Sequence, residues 1–176
     1  MHWLLSIVGG LVGLVVLLAL IGLVLPRGHV AARRAVIQRP AAEVWRAISE
    51  VEAYPKWRKG VTVVSRNGRE FTETSSHGAI RYELAEEQAP ALRITRIADP
   101  KLPFGGRWIY ELTEDRDATR LTITEDGFIT NPIFRTLSRT IFSTTSTLER
   151  FLTDLSTHLG APATVEPATP SSRVGA

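Results

Sequence analysis

The sequence predicts an α+β protein: a curved antiparallel sheet around one long C-terminal helix, preceded by a single transmembrane helix. Three observations predict it. Trp3–Leu25 is an uncharged apolar run, long enough at about 1.5 Å per residue to cross a ~30 Å hydrocarbon core. Between Val61 and Phe128, apolar residues alternate with polar ones at period two, interrupted by turn residues. From Asn131 to Leu159 they recur at threes and fours.

Composition narrows the function. There are no cysteines, which excludes disulfides, thiolate metal sites and a cysteine nucleophile. The formal charge is +3, but the excess lies in Arg27, Arg33, Arg34 and Arg39, just behind the apolar run. The rest of the chain carries nearly equal numbers of basic and acidic residues. A basic footprint at the membrane end suits anionic lipid and sets topology, with the N-terminus outside, the domain cytoplasmic and the chain a single-pass protein of the cell membrane. No basic patch interleaved with aromatics points to nucleic acid. A cleaved signal peptide is the rival reading of the apolar run, but such peptides have a basic leader and a shorter apolar core. Ser6, Gly9, Gly10 and Gly13 share one helical face, on which a second span could pack to give a homodimer.

The chain divides into an anchor (1–26), a basic juxtamembrane linker (27–32), a soluble domain (33–159) and a tail (160–176). Arg33–Gln38 reads as a first strand. Pro40 suits a helix start, and Val44, Ala47 and Ile48 share a face of the helix that follows. Tyr54-Pro55-Lys56-Trp57 opens a second short helix or turn. Val61–Arg66 and Glu70–Thr74 form a hairpin across Asn67-Gly68. Ala79–Ala85 pairs with Leu92–Ala98. Gly105–Thr113 pairs with Thr119–Phe128 across Glu114–Asp117, and Gly105-Gly106 lets a strand bend or approach its neighbour. Trp108, Tyr110 and Leu112 share one face of their strand, as do Leu121, Ile123 and Glu125 of the next. Asn131 caps the long helix, Pro132 is its first residue, and Gly160 ends it. Its stripe runs through Phe134, Leu137, Ile141, Leu148, Leu152, Leu155 and Leu159, interrupted by Thr144 and Thr145. The tail has prolines, small residues and no periodicity, the composition of a disordered segment.

A sheet gripping one helix leaves a tapering hollow for an apolar ligand. The order of elements, with Glu43-Val44-Trp45, Tyr54-Pro55-Lys56-Trp57, Pro103-Phe104-Gly105-Gly106-Arg107-Trp108-Ile109-Tyr110-Glu111-Leu112, Thr119-Arg120-Leu121-Thr122 and Glu125-Asp126-Gly127 before Asn131-Pro132, resembles the SRPBCC or START-like superfamily of helix-grip folds. This superfamily holds polyketide cyclases and lipid-transfer domains. The resemblance spans about residues 33–158. It implies a seven-stranded sheet and a cavity for lipids, polyketides, sterols or quinones.

On that basis Trp57 and Phe104 fall at the cavity entrance. Tyr82 and Tyr110 are positioned to supply hydroxyls, and Trp108 and Ile123 to form the wall. Glu125 would be an inward carboxylate with a raised pKa, and Ile141, Thr144, Thr145 and Leu148 the helix face over the cavity. His2, His29, His77 and His158 show no metal-ligand spacing, so neither a metal nor a cofactor is expected. The first reading is a membrane-anchored binding or transfer domain for a hydrophobic small molecule. The alternative is a cofactor-independent cyclase or dehydratase, for which Glu125 and Tyr110 are the candidate catalytic residues.

Overall fold

A computed structural model describes residues 2–76, 78–141 and 145–175. Helix α1 (His2–Val24) is apolar all round and stands almost wholly exposed. Strand β1 (Gly28–Ile37) leads to helix α2 (Ala41–Ser49) and a 3₁₀ helix (Val51–Lys56). Strands β2 (Val61–Asn67), β3 (Glu70–Ser75), β4 (Gly78–Gln88), β5 (Leu92–Ile97), β6 (Phe104–Asp115) and β7 (Ala118–Ile129) follow. Helices α3 (Pro132–Ile141) and α4 (Ser146–His158) come next, then a short strand β8 (Val165–Pro167).

The strands form one antiparallel sheet in the order β2-β3-β4-β5-β6-β7-β1-β8. The α+β class and the curved sheet with its C-terminal helix stand as the sequence predicts. Residues of odd parity in β1 (Ala31, Ala35, Ile37), with Tyr110, Leu112, Leu121 and Ile123, turn into the concave face. There they bury Val44, Ile48, Leu148, Phe151, Leu152 and Leu155 of the helices. Arg33 reaches from that face of β1 to Glu149 (2.8 Å) and Thr145 (3.0 Å), fixing the start of α4. Hydrogen bonds from Arg33 and Thr145 hold the Glu149 carboxyl below the usual range.

Four expectations need correction. The linker at 27–32 is mostly strand, because β7 offers it partners from Gly28↔Phe128 onward. The hairpin turn after β2 is Gly68-Arg69, one residue later than expected. Asn67 pairs with Glu70, and Gly68 takes the left-handed φ of 60°. The long C-terminal helix is two helices. Only α4 lies in the grip of the sheet, while α3 turns its buried Arg135 and Thr136 toward the backbone of α1. Phe134 is therefore exposed, not part of a buried stripe. Finally, the tail is ordered against the sheet. β8 pairs with β1 at Arg33, Arg34 and Ala35, and the chain then crosses the outer face, where Val174 covers Leu92, Ile94 and Ile109.

Gly106 shows why the start of β6 needs a glycine. Its φ is 142°, and a Cβ there would lie 2.5 Å from the Asp126 carbonyl oxygen on β7. Gly106→Ala should therefore destabilise the chain by more than ~1 kcal/mol, read as a lowered urea midpoint in detergent micelles. Equal midpoints for variant and wild type would show that the strands part freely at this point.

Candidate functional site

Between the concave face of the sheet and the helices lies a cavity of about 840 Å³, in the size range of small-molecule sites. Its walls are largely apolar: Phe71 of β3, Ile80 and Tyr82 of β4, Ile97 of β5, and Trp108 and Tyr110 of β6. The residues on it divide by exposure. Phe71, Glu73, Thr95 and Tyr110 are buried and mark the inner end. Val30, Phe128 and Phe134 are exposed and mark the mouth, together with Arg27.

The inner end carries a buried ion pair. Arg58, just after the 3₁₀ helix, donates from Nη1 to Oε1 of Glu73 at 2.6 Å, and both side chains are largely buried. The guanidinium lies over the rings of Tyr54 (4.9 Å) and Phe151 (5.0 Å), a cation–π arrangement. Desolvation raises the Glu73 pKa even against the opposing pull of Arg58. Burial pushes the Tyr54 hydroxyl to about 12 and raises those of Tyr82 and Tyr110 well above the ordinary phenol value. These phenols therefore stay protonated at neutral pH; that of Tyr54 donates to the Ile48 carbonyl at 2.8 Å, while Tyr82 and Tyr110 line the cavity. The inner end is polar but close to neutral overall, suited to an uncharged hydroxyl or carbonyl group.

A second polar pair sits on the wall nearer the mouth. His29 Nε2 lies 3.1 Å from Glu125 Oε1, across neighbouring strands β1 and β7. The His29 ring is seated on Gly127, where a Cβ would come within 2.6 Å of it. Phe128 is seated on Gly105 in the same way. These glycines leave room for two rings that a side chain at either position would displace.

Of the residues the sequence nominated, the structure brings Tyr82, Phe104, Trp108, Tyr110 and Glu125 to the cavity. Phe104 stands at the mouth with Phe134, ring centres 6.1 Å apart. Trp57 is away from the cavity: it stacks on His158 at 5.7 Å and packs edge-on to Tyr54 and Phe151. Its Tyr-Pro-x-Trp segment folds back on α4 and so cannot border an entrance. Ile123 and Leu148 are fully buried core residues. Thr145 bonds to Arg33 and Glu149 instead of facing the hollow; Thr147 takes that place. Ile141 ends α3, and Thr144, like His77, lies outside the described residues. Sequence reasoning missed Arg58, Glu73 and His29. Glu73 was legible, since it shares parity with Phe71 on β3; Arg58 follows no period, and His29 lay in the supposed linker. Of the four arginines that follow α1, Arg33, Arg34 and Arg39 pair with Glu149, Glu166 and Glu43. Among the described residues no three His, Asp or Glu side chains gather as metal ligands.

Comparison with solved structures supports the fold. A conserved protein from Geobacillus kaustophilus superposes with TM-score 0.66 at 12% identity, covering 78% of this chain and 99% of that one. A START superfamily protein from Mycobacterium smegmatis gives 0.60 at 15%, covering 75% and 97%. Norcoclaurine synthase from Thalictrum flavum gives 0.61 at 9%, covering 75% and 93%. No curated protein sequence matches significantly. The family described as polyketide cyclase/dehydrase and lipid transport matches residues 29–160, from the first residues of β1 to the end of α4, and so all of the cavity lining except Arg27. The chain belongs to that family.

Proposed function

We propose that the protein is a membrane-anchored binding or transfer domain for a hydrophobic small molecule with one uncharged polar end, such as a lipid, quinone or polyketide-like compound. The observation that carries this reading is the cavity itself, with a mostly apolar wall and an inner end closed by the Arg58–Glu73 pair beside Tyr82 and Tyr110. An apolar body gains by leaving water, and a hydroxyl or carbonyl end meets donors and an acceptor at the inner end. The anchor reading rests on the 19-residue span Ser6–Val24, with mean hydropathy 2.9. The excess of arginine behind it favours a cytoplasmic domain. A Cβ added at Gly9, Gly10 or Gly13 would meet nothing within 4 Å beyond the neighbouring backbone of α1, leaving a face for the span of a second copy.

Native mass spectrometry of the full chain released from detergent micelles tests the binding reading. With a monoacylglycerol or a short-chain ubiquinone added, the chain should retain the adduct. Ile97→Trp, which fills the cavity wall, should lose it. A wild-type chain that retains neither compound would overturn the reading.

A second reading is favoured by one observation, the His29–Glu125 pair on the cavity wall. A carboxylate that orients an imidazole is a general-base arrangement, placed here where a poly-ketone chain would lie. In that arrangement the His29 imidazole is the base and Glu125 positions it; Tyr110, whose hydroxyl burial holds well above the ordinary phenol range, is a poor proton shuttle.

A further inference from the structure

The cavity mouth and the membrane span are physically joined, and the joint is built from buried polar contacts. Arg135 of α3 is 3% exposed. It donates to the carbonyls of Gly22 (2.7 Å) and Leu25 (3.0 Å) at the end of α1, and of Ile129 and Thr130 (each 3.0 Å) at the end of β7. The last carbonyls of a helix have no partner within it and carry partial negative charge that favours a cation. Arg135 answers both needs. Thr136 Oγ1 donates to the Leu18 carbonyl at 2.8 Å. Gly22 admits Pro132 so closely that a Cβ would lie 1.8 Å from its carbonyl oxygen.

These contacts fix the depth of α3. Leu18 precedes the end of α1 by six residues, or about 9 Å at 1.5 Å per residue. A helix bonded there lies alongside the last part of the span. That matches the depth of interfacial helices, whose apolar faces sit roughly 5–10 Å into the boundary between headgroups and chains. α3 has the matching character. Arg135 and Thr136 face α1, while Phe134 is exposed and Ile133 only half-buried. Phe134 also lines the cavity, as do exposed Val30 and Phe128 and the neighbouring Arg27. An apolar rim with a cation beside it fits an anionic leaflet surface.

We propose that the rim formed by Val30, Phe104, Phe128 and Phe134 is immersed in the leaflet from which α1 emerges. The cavity then opens into lipid, and its ligand passes between bilayer and protein without crossing water. This inference rests on the reading that α1 crosses a membrane. It adds a lipid-facing docking surface and a route, and restricts the ligand to molecules that partition into a leaflet.

The absence of cysteines allows a direct test by site-directed spin labelling of the full chain in phosphatidylcholine–phosphatidylglycerol vesicles. Single variants Leu11→Cys, Phe128→Cys, Phe134→Cys and Asp117→Cys are compared by nitroxide accessibility to oxygen and to a water-soluble nickel chelate. Asp117 lies in the turn at the far end of the β6–β7 ladder. The label at 11 should be lipid-buried and that at 117 aqueous. Those at 128 and 134 should show an oxygen-to-nickel ratio several-fold above that at 117. Val30→Cys, a smaller change on the same rim, repeats the reading if loss of a phenylalanine unsettles the fold. Rim labels as aqueous as 117, with 11 still in lipid, overturn the immersed mouth and leave the anchor standing. A label at 11 that is itself aqueous overturns both.

Discussion

Arg58→Met should destabilise the protein by about 3–5 kcal/mol near neutral pH, because removing one member of a buried ion pair strands the other. Methionine preserves the apolar stem over Tyr54 and Phe151, so lost packing contributes little. What remains is Glu73, 9% exposed and without its counter-ion. Glu73→Leu added to Arg58→Met should recover most of the loss, since the coupling, not either side chain alone, carries the effect. Urea unfolding in detergent micelles measures all three variants. A single variant as stable as wild type would mean that water already solvates the pair through the cavity.

The same variant carries a pH signature whose sign is fixed. Glu73 titrates higher in the folded chain than a free carboxyl, so the folded state holds its proton more tightly. The stability from this group is complete below the ordinary carboxyl range and is lost as pH rises through the raised value. Arg58 limits that loss in wild type by favouring the ionised form. Without Arg58 the loss deepens and extends to higher pH. Arg58→Met should therefore lie close to wild type at roughly pH 4 and fall away toward pH 7. A difference that is constant across this range would place the damage in packing and not in charge.

Local rules reach some of these features and not others. The strands from Val61 to Phe128 were legible because alternation and turn chemistry are properties of neighbouring residues. The inward aim of Glu125 followed from parity with Leu121 and Ile123, and the same argument applied to β3 would have found Glu73 behind Phe71. Arg58 obeys no period: only the return of the 3₁₀ helix toward β3 brings it to the cavity. β1 was cut short at Arg33 because His29–Ala32 is weakly patterned, and its strand state comes from pairing with β7, a hundred residues away in sequence. The division of the last helix was foreshadowed by the threonines at 144 and 145. The destination of α3 was not, because Arg135 and Thr136 are read as surface residues until the carbonyls of α1 are in place. The tail was misjudged for a related reason. A strap needs no apolar period of its own when the sheet supplies both an unpaired edge and an outer apolar patch.

That strap supports the second large effect. Deleting residues 161–176 should cost about 3 kcal/mol or more, since re-exposing a buried aliphatic side chain costs roughly 1.5–3 kcal/mol at most and three lie beneath the tail. Leu92, Ile94 and Ile109 are each at most 5% exposed, with Val174 over them. Polar losses add to this. Thr124 is fully buried and accepts from the Ser171 amide at 2.9 Å, while Ser171 Oγ donates to Glu111 at 3.0 Å. The exposed Arg34–Glu166 pair adds little. The deletion also frees the edge of β1 beside a new apolar patch, a template for pairing between chains. The shortened chain should thus unfold at lower urea and self-associate, read by light scattering of detergent-solubilised protein. Val174→Asp, which leaves β8 in place, should reproduce the stability loss only in part and keep the β1 edge covered, so it should not self-associate by edge pairing. If the deletion leaves both midpoint and scattering unchanged, the outer face does not depend on the strap, and the family fold from β1 to α4 is self-sufficient.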